Sequence, residues 1–326
     1  MNVLVLGGSG LFGRKTVLFL LKDEEISSVV SVDVVPPKEW LLKSMGKYAG
    51  KFRFVRGDVS DLEEILDIIA TCKIDRLINM AFLLPGVLEG NPRAGIKVNA
   101  LGMCNSFEAA RLMGIKRVVY ASSEGVYGPQ NEYGDRYVTE DDHMHPQSAY
   151  ALTKQLSEMM AAEYGQKYGI QFSALRPTMG YGHGGLTPVP VRQYSEIVSL
   201  PAVGKSFSVD TDGTSGLALS SADDIAKISR ILIKMDSSPH SAYNVGTTPI
   251  SLRDVAEVVR KYIPDAKITF GKQTTPADRG KTGIPWKVSS ARAKEDLGFE
   301  LLPLEEAVQI HINDARLDAG LPPMKF

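Results

Sequence analysis

The chain has 326 residues, 44% of them hydrophobic and 23% charged, with a formal net charge of -1 and a pI near 6.5. This length and composition predict a globular protein that buries a large core, with room for a main domain and a smaller lobe. The lack of a basic excess argues against nucleic acid or an anionic membrane surface as the main partner, so we expect a small-molecule substrate.

The cysteines and the first residues bear on the cellular compartment. Cys72 and Cys104 lie in apolar helical patterns without metal-ligand spacing, so buried thiols in a reducing compartment explain them better than a disulfide or a nucleophile. Residues 1–6 lead into a glycine turn without a basic leader, and the longest apolar run, 17–21, is too short to span a bilayer. We therefore expect a cytoplasmic protein with no membrane partner.

Short apolar runs alternate with longer amphipathic stretches in the first half of the chain, as in repeated strand-helix-strand units. Buried parallel strands are predicted at 3–6, 29–34, 52–55, 76–80, 117–121 and 171–175. Ser60 with Glu63 predicts a capping box, while Asn91 before Pro92 predicts the start of a helix that Gly114 closes. The pattern predicts an α/β fold with a doubly wound parallel sheet.

The alternation ends after Pro177 in a stretch rich in Gly, Pro and Ser. Weaker periodic signals follow at 194–200, 223–235, 243–245 and 252–262. We interpret residues 1–176 as the first domain and 177–326 mainly as a smaller substrate-binding lobe, with residues from about 218 to 248 returning to the first domain.

A glycine turn, Gly7-Gly-Ser-Gly10-Leu-Phe-Gly13, stands between the first strand and an apolar helix. Such a turn brings backbone N–H groups and a helix N-terminus against a pyrophosphate, although a plain tight turn would need the same glycines. Asp33 ends the second strand 20 residues beyond Gly13, where a carboxylate accepts both ribose hydroxyls and repels a 2′-phosphate. No arginine follows it, which favours NAD over NADP, but Asp33 also fits a solvated turn.

Two further patterns are weak alone. Asp58-Val59 follows the third strand, where Asp58 either caps an adenine amino group or enters a helix. Tyr150 and Lys154 are four residues apart, so a helix places them on one face. A phenol with a pKa of about 10 is a poor base at neutral pH, but an adjacent ammonium group and a nicotinium ring both favour the phenolate. The alternative interpretation of this four-residue spacing is a half-buried aromatic residue beside a surface lysine with no chemical role.

The segment Tyr120-Ala-Ser-Ser123-Glu-Gly-Val-Tyr127-Gly follows the fifth strand, at the sheet edge where such folds bind ligands. With the glycine turn, Asp58, Asn99 and Tyr150…Lys154 it makes the chain resemble the extended short-chain dehydrogenases/reductases, the NAD-dependent epimerase/dehydratase family. The resemblance covers residues 1–182, and within this range Glu158 and Leu175-Arg176-Pro177 also match the family pattern.

The resemblance implies a Rossmann fold, NAD as cofactor and a homodimer formed through the helices of Asn99 and Tyr150. Ser123 would hold the substrate oxygen, Tyr150 would be the general acid/base, and Lys154 would bind the nicotinamide ribose. The cofactor-binding residues that it implies are Gly7, Gly10, Leu11, Phe12, Gly13, Asp33, Asp58, Val59, Ala81, Asn99, Ser122, Tyr150, Lys154 and Pro177.

Departures from the family pattern concern the substrate. Leu217-Ala218 occupies the place of an Arg-Asp pair that nucleotide-sugar enzymes use, so a guanidinium that would clamp a diphosphate is missing. Met179 replaces an asparagine, and Glu124-Gly125 stands where dehydratases carry Asp-Glu. A nucleotide-sugar substrate is therefore in doubt, and no elimination chemistry is expected.

Candidate substrate residues lie at the expected pocket mouth, where Phe82 and Trp286 add an apolar lining. They are Leu84, Glu124, Met179, Tyr181, His183 and Arg279, although Glu124 and Arg279 also fit solvated loops and the apolar residues also fit a core. The histidines lack metal-site spacing, so no metal is expected. The leading hypothesis is hydride transfer between a secondary alcohol or ketone and NAD. A sugar 4-epimerase with tightly held NAD is the alternative, and a non-catalytic NAD-sensing protein is the third.

Overall fold

The computed structural model describes residues 1–184, 191–273 and 283–326. The strands are β1 (Asn2–Leu6), β2 (Ser28–Asp33), β3 (Phe52–Arg56), β4 (Arg76–Asn79), β5 (Arg117–Ala121), β6 (Gln171–Pro177), β7 (Met179–Tyr181), β8 (Phe207–Thr211), β9 (Gly216–Leu217), β10 (Leu219–Ser221), β11 (Ala242–Val245), β12 (Ile250–Ser251) and β13 (Ile268–Gln273). The α-helices are α1 (Leu11–Leu21), α2 (Glu39–Met45), α3 (Leu62–Cys72), α4 (Pro85–Gly90), α5 (Pro92–Ile96), α6 (Gly102–Leu112), α7 (Ala149–Tyr168), α8 (Val191–Ala202), α9 (Ala222–Lys234), α10 (Leu252–Tyr262), α11 (Ala291–Leu297) and α12 (Leu304–Asp318).

Within these ranges the main sheet has seven parallel strands in the order β11-β6-β5-β4-β1-β2-β3. Its central strands are apolar runs because both of their faces are covered, and all of β5 is buried. The six strands predicted from the sequence are therefore confirmed, with boundaries shifted by at most two residues.

Two apolar clusters cover the two faces of this sheet. One contains Val17 of α1 and Ile228 of α9, and the other contains Ile65 of α3, Phe107 of α6 and Ala161 of α7. Because helices pack on both faces of a parallel sheet, the doubly wound Rossmann class is confirmed.

The helix-start predictions had mixed outcomes. Asn91 caps α5 by accepting a hydrogen bond from the Ala94 N–H, as predicted. The Ser60–Glu63 capping box is wrong: Asp61 caps α3 by accepting from the Glu64 N–H, while the Ser60 hydroxyl donates to Asp58. The polar run before α3 offers several possible caps, and the competing hydrogen bond to Asp58 removes Ser60 from the choice.

The helix predicted to run from Pro92 is continuous but not uniform. Between α5 and α6, residues Lys97–Leu101 form a π-helical turn, which widens the helix at Asn99. π-Helical turns inside α-helices are frequently found at functional sites. Gly114, with a φ of +72°, follows the end of α6 as expected for a residue that closes a helix.

A third apolar cluster forms a smaller body from the later part of the chain. It includes Ile197 of α8, Val255 of α10 and Ile312 of α12, and the strand pairs β8–β13 and β9–β12 belong to the same region. The chain returns to the main sheet through β11, which pairs with β6. The carboxyl ends of the main-sheet strands therefore lie next to the start of this smaller body.

Candidate active site

The glycine turn has the backbone geometry that its sequence predicts. Gly7 has a φ of +75°, and a Cβ there would lie 2.6 Å from the Ala81 backbone. A Cβ on Gly13 would lie 2.0 Å from the Gly7 carbonyl oxygen, so α1 can approach the turn only without that side chain. A side chain at either position would therefore disrupt the turn.

The N-terminus of α1 differs from those of α3, α7, α9 and α10, which are capped by Asp61, Ser148, Ser221 and Ser251. Its cap position, Gly10, supplies no side chain, and the first turn contains no acidic residue. The N–H groups and the positive end of the helix dipole at Leu11 and Phe12 therefore fit the pyrophosphate of a dinucleotide.

Asp33 lies at the end of β2 beside the glycine turn. One carboxylate oxygen accepts a hydrogen bond from the Ser9 N–H at 3.0 Å, and the other accepts from the Val35 N–H at 3.1 Å. These bonds fix the carboxylate, and each oxygen keeps a lone pair that can accept a ribose hydroxyl. The residues around the turn thus fit an NAD adenosine, and Asp33 is the residue that would bind its ribose.

Asp58 lies after β3, at the predicted adenine position. Its side chain accepts from the Ser60 N–H and hydroxyl and lies 3.4 Å from the Lys97 Nζ. Burial opposes ionisation, but the Ser60 hydrogen bonds and the Lys97 charge outweigh it and hold the pKa of Asp58 below its ordinary value. Val59 is buried against Gly102 of α6, so only its backbone is available to a ligand.

Asn99 is fully buried in the π-helical turn. Its amide oxygen accepts from the Leu83 N–H at 2.7 Å, and its amide nitrogen donates to the Leu83 carbonyl at 2.9 Å. Each end of the amide thus has one partner in Leu83, and the cofactor role of Asn99 stays a prediction. Asn99 fixes the loop after β4, which contains Ala81.

Lys154 and Tyr150 share the first turns of α7, as their spacing predicts. The Lys154 Nζ donates to the Ala121 carbonyl at 2.8 Å, and burial lowers the pKa of Lys154 to about 7 against the opposing charge of Glu158. Burial raises the pKa of the Tyr150 phenol, a hydrogen bond with Ser123 opposes this, and the nearby Glu124 reinforces it. The expected lowering of the tyrosine pKa by Lys154 is not seen in this geometry, because burial dominates.

Phe82 lies between the glycine turn and α7. The Lys154 Nζ lies 4.3 Å from the centre of the Phe82 ring, and this ring also contacts Tyr150 and Phe12, with 6.4 Å between centroids in each pair. The sequence predicted only that Phe82 is an apolar lining residue. Its position after a strand that ends beside the glycine turn is the signal that could have identified it.

Ser122 and Ser123 have different partners. The Ser123 hydroxyl accepts from the Gly125 N–H at 3.1 Å and begins the 3-10 helix Glu124–Tyr127. The Ser122 hydroxyl donates to Glu158 of α7, and the role of Ser122 in cofactor binding stays a prediction. Glu158, which was noted only as part of the family pattern, also pairs with Arg176 beside Pro177 at the end of β6.

The predicted substrate residues divide into two groups. Leu84 is half-buried at the start of α4, Met179 begins β7, and Glu124 is buried, with only 3% of the residue exposed. Tyr181 packs in the core of the smaller body, and both His183 ring nitrogens are paired, with Ser199 and Asp318; a substrate role for either residue stays a prediction. Arg279 lies outside the described residues.

Two of the positions that depart from the family pattern, Leu217 and Met179, carry apolar side chains in paired strands. Leu217 pairs with Ile250 of β12, and Met179 pairs with Leu219 of β10. Within residues 1–184, 191–273 and 283–326, no group of three or more His, Cys, Asp or Glu side chains is placed to hold a metal. No helix in the same ranges is long and apolar enough to cross a membrane.

The chain belongs to the NAD dependent epimerase/dehydratase family, whose model matches residues 3–246. It is therefore an NAD-dependent enzyme, and the predicted family and cofactor are confirmed. The residues that would hold NAD begin at the glycine turn and continue through Asp33 and Asp58 to Lys154.

Named relatives show how broad this family is. The chain is 27% identical over 268 residues to a UDP-glucuronate 4-epimerase of Thermodesulfobacterium geofontis, covering 80% of each chain. It is 25% identical to the mitochondrial L-threonine 3-dehydrogenase of Bos taurus, covering 92% of this chain and 78% of the relative. A UDP-glucose 4-epimerase of Thermus thermophilus solved with NAD superposes with a TM-score of 0.78 at 23% identity, covering 97% and 99% of the chains, which supports the fold.

Proposed function

We propose that the protein transfers hydride reversibly between a secondary alcohol or ketone and NAD. The observation that carries the proposal is the convergence of Ser123, Tyr150 and Lys154 at the carboxyl end of β5, next to an uncapped helix N-terminus that fits a dinucleotide. Bound NAD supplies the hydride acceptor, and the side chains manage the proton of the substrate hydroxyl.

Each side chain has a distinct role in this proposal. Ser123 donates to the substrate oxygen, and Tyr150 takes the hydroxyl proton during oxidation or returns it during reduction. Lys154 donates to the nicotinamide ribose and, once its ammonium faces the phenol, favours the phenolate. The raised pKa of Tyr150 makes a neutral phenol the resting form, so Tyr150 is ready to donate a proton in the reductive direction.

The alternative is a sugar 4-epimerase, in which one substrate carbinol is oxidised transiently and reduced on its other face. The family and the epimerase relative favour this alternative, whereas Leu217 and Ala218 disfavour a nucleotide sugar because neither carries a guanidinium to clamp a diphosphate. The threonine dehydrogenase relative supports net oxidation. A cofactor-sensing protein without turnover is the third candidate, and the intact Ser123, Tyr150 and Lys154 argue against it.

The test is a screen for NAD reduction over alcohols, aldonates, uronates and nucleotide sugars, with analysis of copurified cofactor. A dehydrogenase forms NADH in proportion to substrate, whereas an epimerase retains NAD and produces no net NADH. Tyr150→Phe should lower kcat by about 10²- to 10⁴-fold with NAD binding retained. Tyr137→Phe, at an exposed tyrosine outside the site, is the matched control. Full turnover by Tyr150→Phe would overturn the mechanism.

We further propose a homodimer and a division of labour along the chain. Exposed apolar side chains on α7 and on the neighbouring helices Pro92–Leu112 form one face, here called the helix-pair face; they include Leu101, Leu112, Leu152, Leu156 and Met159. An apolar face of this kind fits a second copy of the chain.

Residues 1–176 would hold NAD and the remaining lobe would bind the substrate. The two free cysteines are consistent with the cytoplasm.

A further inference from the structure

Glu124 is a buried carboxyl group with an unengaged oxygen. It follows Ser123 directly, only 3% of the residue is exposed, and its Oε2 has no hydrogen-bond partner among the described residues. Glu124 interacts electrostatically with the Tyr150 phenol, so its carboxyl group lies beside the reacting pair. A buried polar atom without a partner is costly, which favours a ligand that supplies the partner.

The other buried acids near the site behave differently. Glu158 uses both oxygens, accepting hydrogen bonds from Ser122 and from two nitrogens of Arg176. Glu140 accepts from the Asn244 N–H, with Arg292 3.9 Å from its second oxygen. These carboxylates have structural partners, whereas the described part of the chain offers Glu124 no such partner to explain its burial.

The surroundings of Glu124 favour the neutral form of its carboxyl group. Burial alone raises the pKa of Glu124 well above its ordinary value, and no cation in the described ranges opposes it. The nearest catalytic cation, Lys154, is engaged by the Ala121 carbonyl and by the Phe82 ring. Beside Glu124, a Cβ on Gly125 would contact the Ser123 hydroxyl, the Ala151 Cβ and the Ile284 side chain, none of which carries a charge. A neutral carboxyl group can donate one hydrogen bond, which a carboxylate cannot.

We propose that Glu124 donates a hydrogen bond to an oxygen on the substrate carbon adjacent to the reacting carbinol, so that the site selects vicinal diols and hydroxyketones over simple secondary alcohols. This inference rests on the proposed hydride transfer, because Ser123 and Tyr150 must hold the first oxygen. With that oxygen held by Ser123 and Tyr150, the interaction of Glu124 with the Tyr150 phenol places its carboxyl group near enough for this proposed contact with the oxygen on the next carbon. A site built around such a donor discriminates strongly, since a substrate without the second oxygen leaves the buried donor unpaired.

The experiment compares matched alcohols in native protein and in two variants. NAD reduction is measured with isopropanol against propylene glycol, and with cyclohexanol against its vicinal diol. In the native protein kcat/KM favours the diol of each pair. Glu124→Leu should lower the diol preference about 100-fold, whereas Glu124→Gln, which keeps a donor, should lower it less than tenfold. A tryptophan-fluorescence titration with NAD checks that each variant is folded and binds cofactor.

Two further readouts make the outcome decisive. The infrared spectrum of the native protein at pH 7.5 should contain the carbonyl stretch of a protonated carboxyl group that Glu124→Gln lacks. Absence of this band, an unchanged diol preference in Glu124→Leu, or a native preference for isopropanolamine over propylene glycol would overturn the inference, because the last would require an ionised Glu124. If no compound in the NAD-reduction screen of the proposed function yields NADH, the hydride transfer fails and this inference fails with it, whereas NADH formation without a diol preference overturns this inference alone.

Discussion

The Arg176 guanidinium donates two hydrogen bonds to the Glu158 carboxylate, at 2.9 and 2.6 Å, and the two side chains are 3% and 9% exposed. Arg176 belongs to β6 and Glu158 to α7, one turn beyond Lys154, so the ion pair ties the catalytic helix to the main sheet. The third nitrogen of Arg176 donates to the Tyr127 hydroxyl, which in turn donates to Asn244 of β11. Ser122 completes the network beside Ser123.

Removing one partner of this pair should destabilise the protein strongly. Glu158→Gln leaves the Arg176 charge buried without its counterion, and we expect the free energy of unfolding to fall by about 3–5 kcal/mol. The charge-neutral double variant Glu158→Leu/Arg176→Met should be less destabilised than the single one. Urea denaturation followed by circular dichroism measures both. A double variant as unstable as Glu158→Gln would show that shape, rather than charge, dominates.

The protonation of Lys154 predicts a pH-dependent stability difference. Its folded-state pKa of about 7 lies below its ordinary value of 10.5, so between these values the unfolded chain binds more protons than the folded one. Burying Lys154 therefore destabilises the folded protein most at low pH, where the buried side chain carries its charge. The difference in the free energy of unfolding between the native protein and Lys154→Met, followed against pH, isolates this group. Because the unfolded chain holds the extra proton, the stability of the native protein relative to Lys154→Met should rise from pH 6.5 to pH 9. Lys205→Met, at an exposed lysine, should show no such trend.

Asp33 should determine the choice between NAD and NADP. Asp33→Asn removes the charge that repels a 2′-phosphate while keeping an acceptor for the Ser9 N–H, so NADP affinity relative to NAD should rise at least tenfold, about 1.4 kcal/mol. Asp33→Ala also loses the contacts with Ser9 and Val35 and should bind both dinucleotides more weakly. Calorimetric titration measures these affinities. Tighter binding of NADP than NAD by the native chain would contradict the assignment.

The helix-pair face should hold the homodimer together. Leu152 and Met159 lie seven residues apart on α7 and are 54% and 59% exposed, so Leu152→Asp/Met159→Asp places two charges in the proposed interface. Light scattering should show the mass falling from dimer to monomer. Leu42→Asp, at an exposed leucine of α2, should leave the mass unchanged. A native chain that is monomeric at tens of micromolar would remove the basis for the dimer.

The parts of the fold and site that the sequence predicted are those encoded by local patterns. The buried strands are continuous apolar runs, and the glycine turn and the Tyr150…Lys154 spacing depend on residues close together in the chain. The φ of +75° at Gly7 and the placement of both side chains on α7 follow directly from these patterns.

What the sequence could not predict depends on distant partners. His183 is paired with Asp318, 135 residues away, and nothing near it in the chain indicates that bond. Asn99 appeared free to bind a cofactor because its partner, Leu83, lies in a different segment. Glu124 fits a solvated loop by composition, and only the packing of Ala151 and Ile284 around the adjacent glycine shows an enclosed position.

Strand β11 is the last strand of the main sheet in chain order. It pairs with β6, which ends at Pro177, although β11 begins only at Ala242. During synthesis on the ribosome, the glycine turn, Ser123 and the whole of α7 emerge before Ala242. Until then the nascent chain presents unpaired backbone groups along β6, a template on which a foreign strand can add. β6 therefore stays an edge strand until β11 has paired with it, and expression of the first 176 residues alone would leave this edge unpaired.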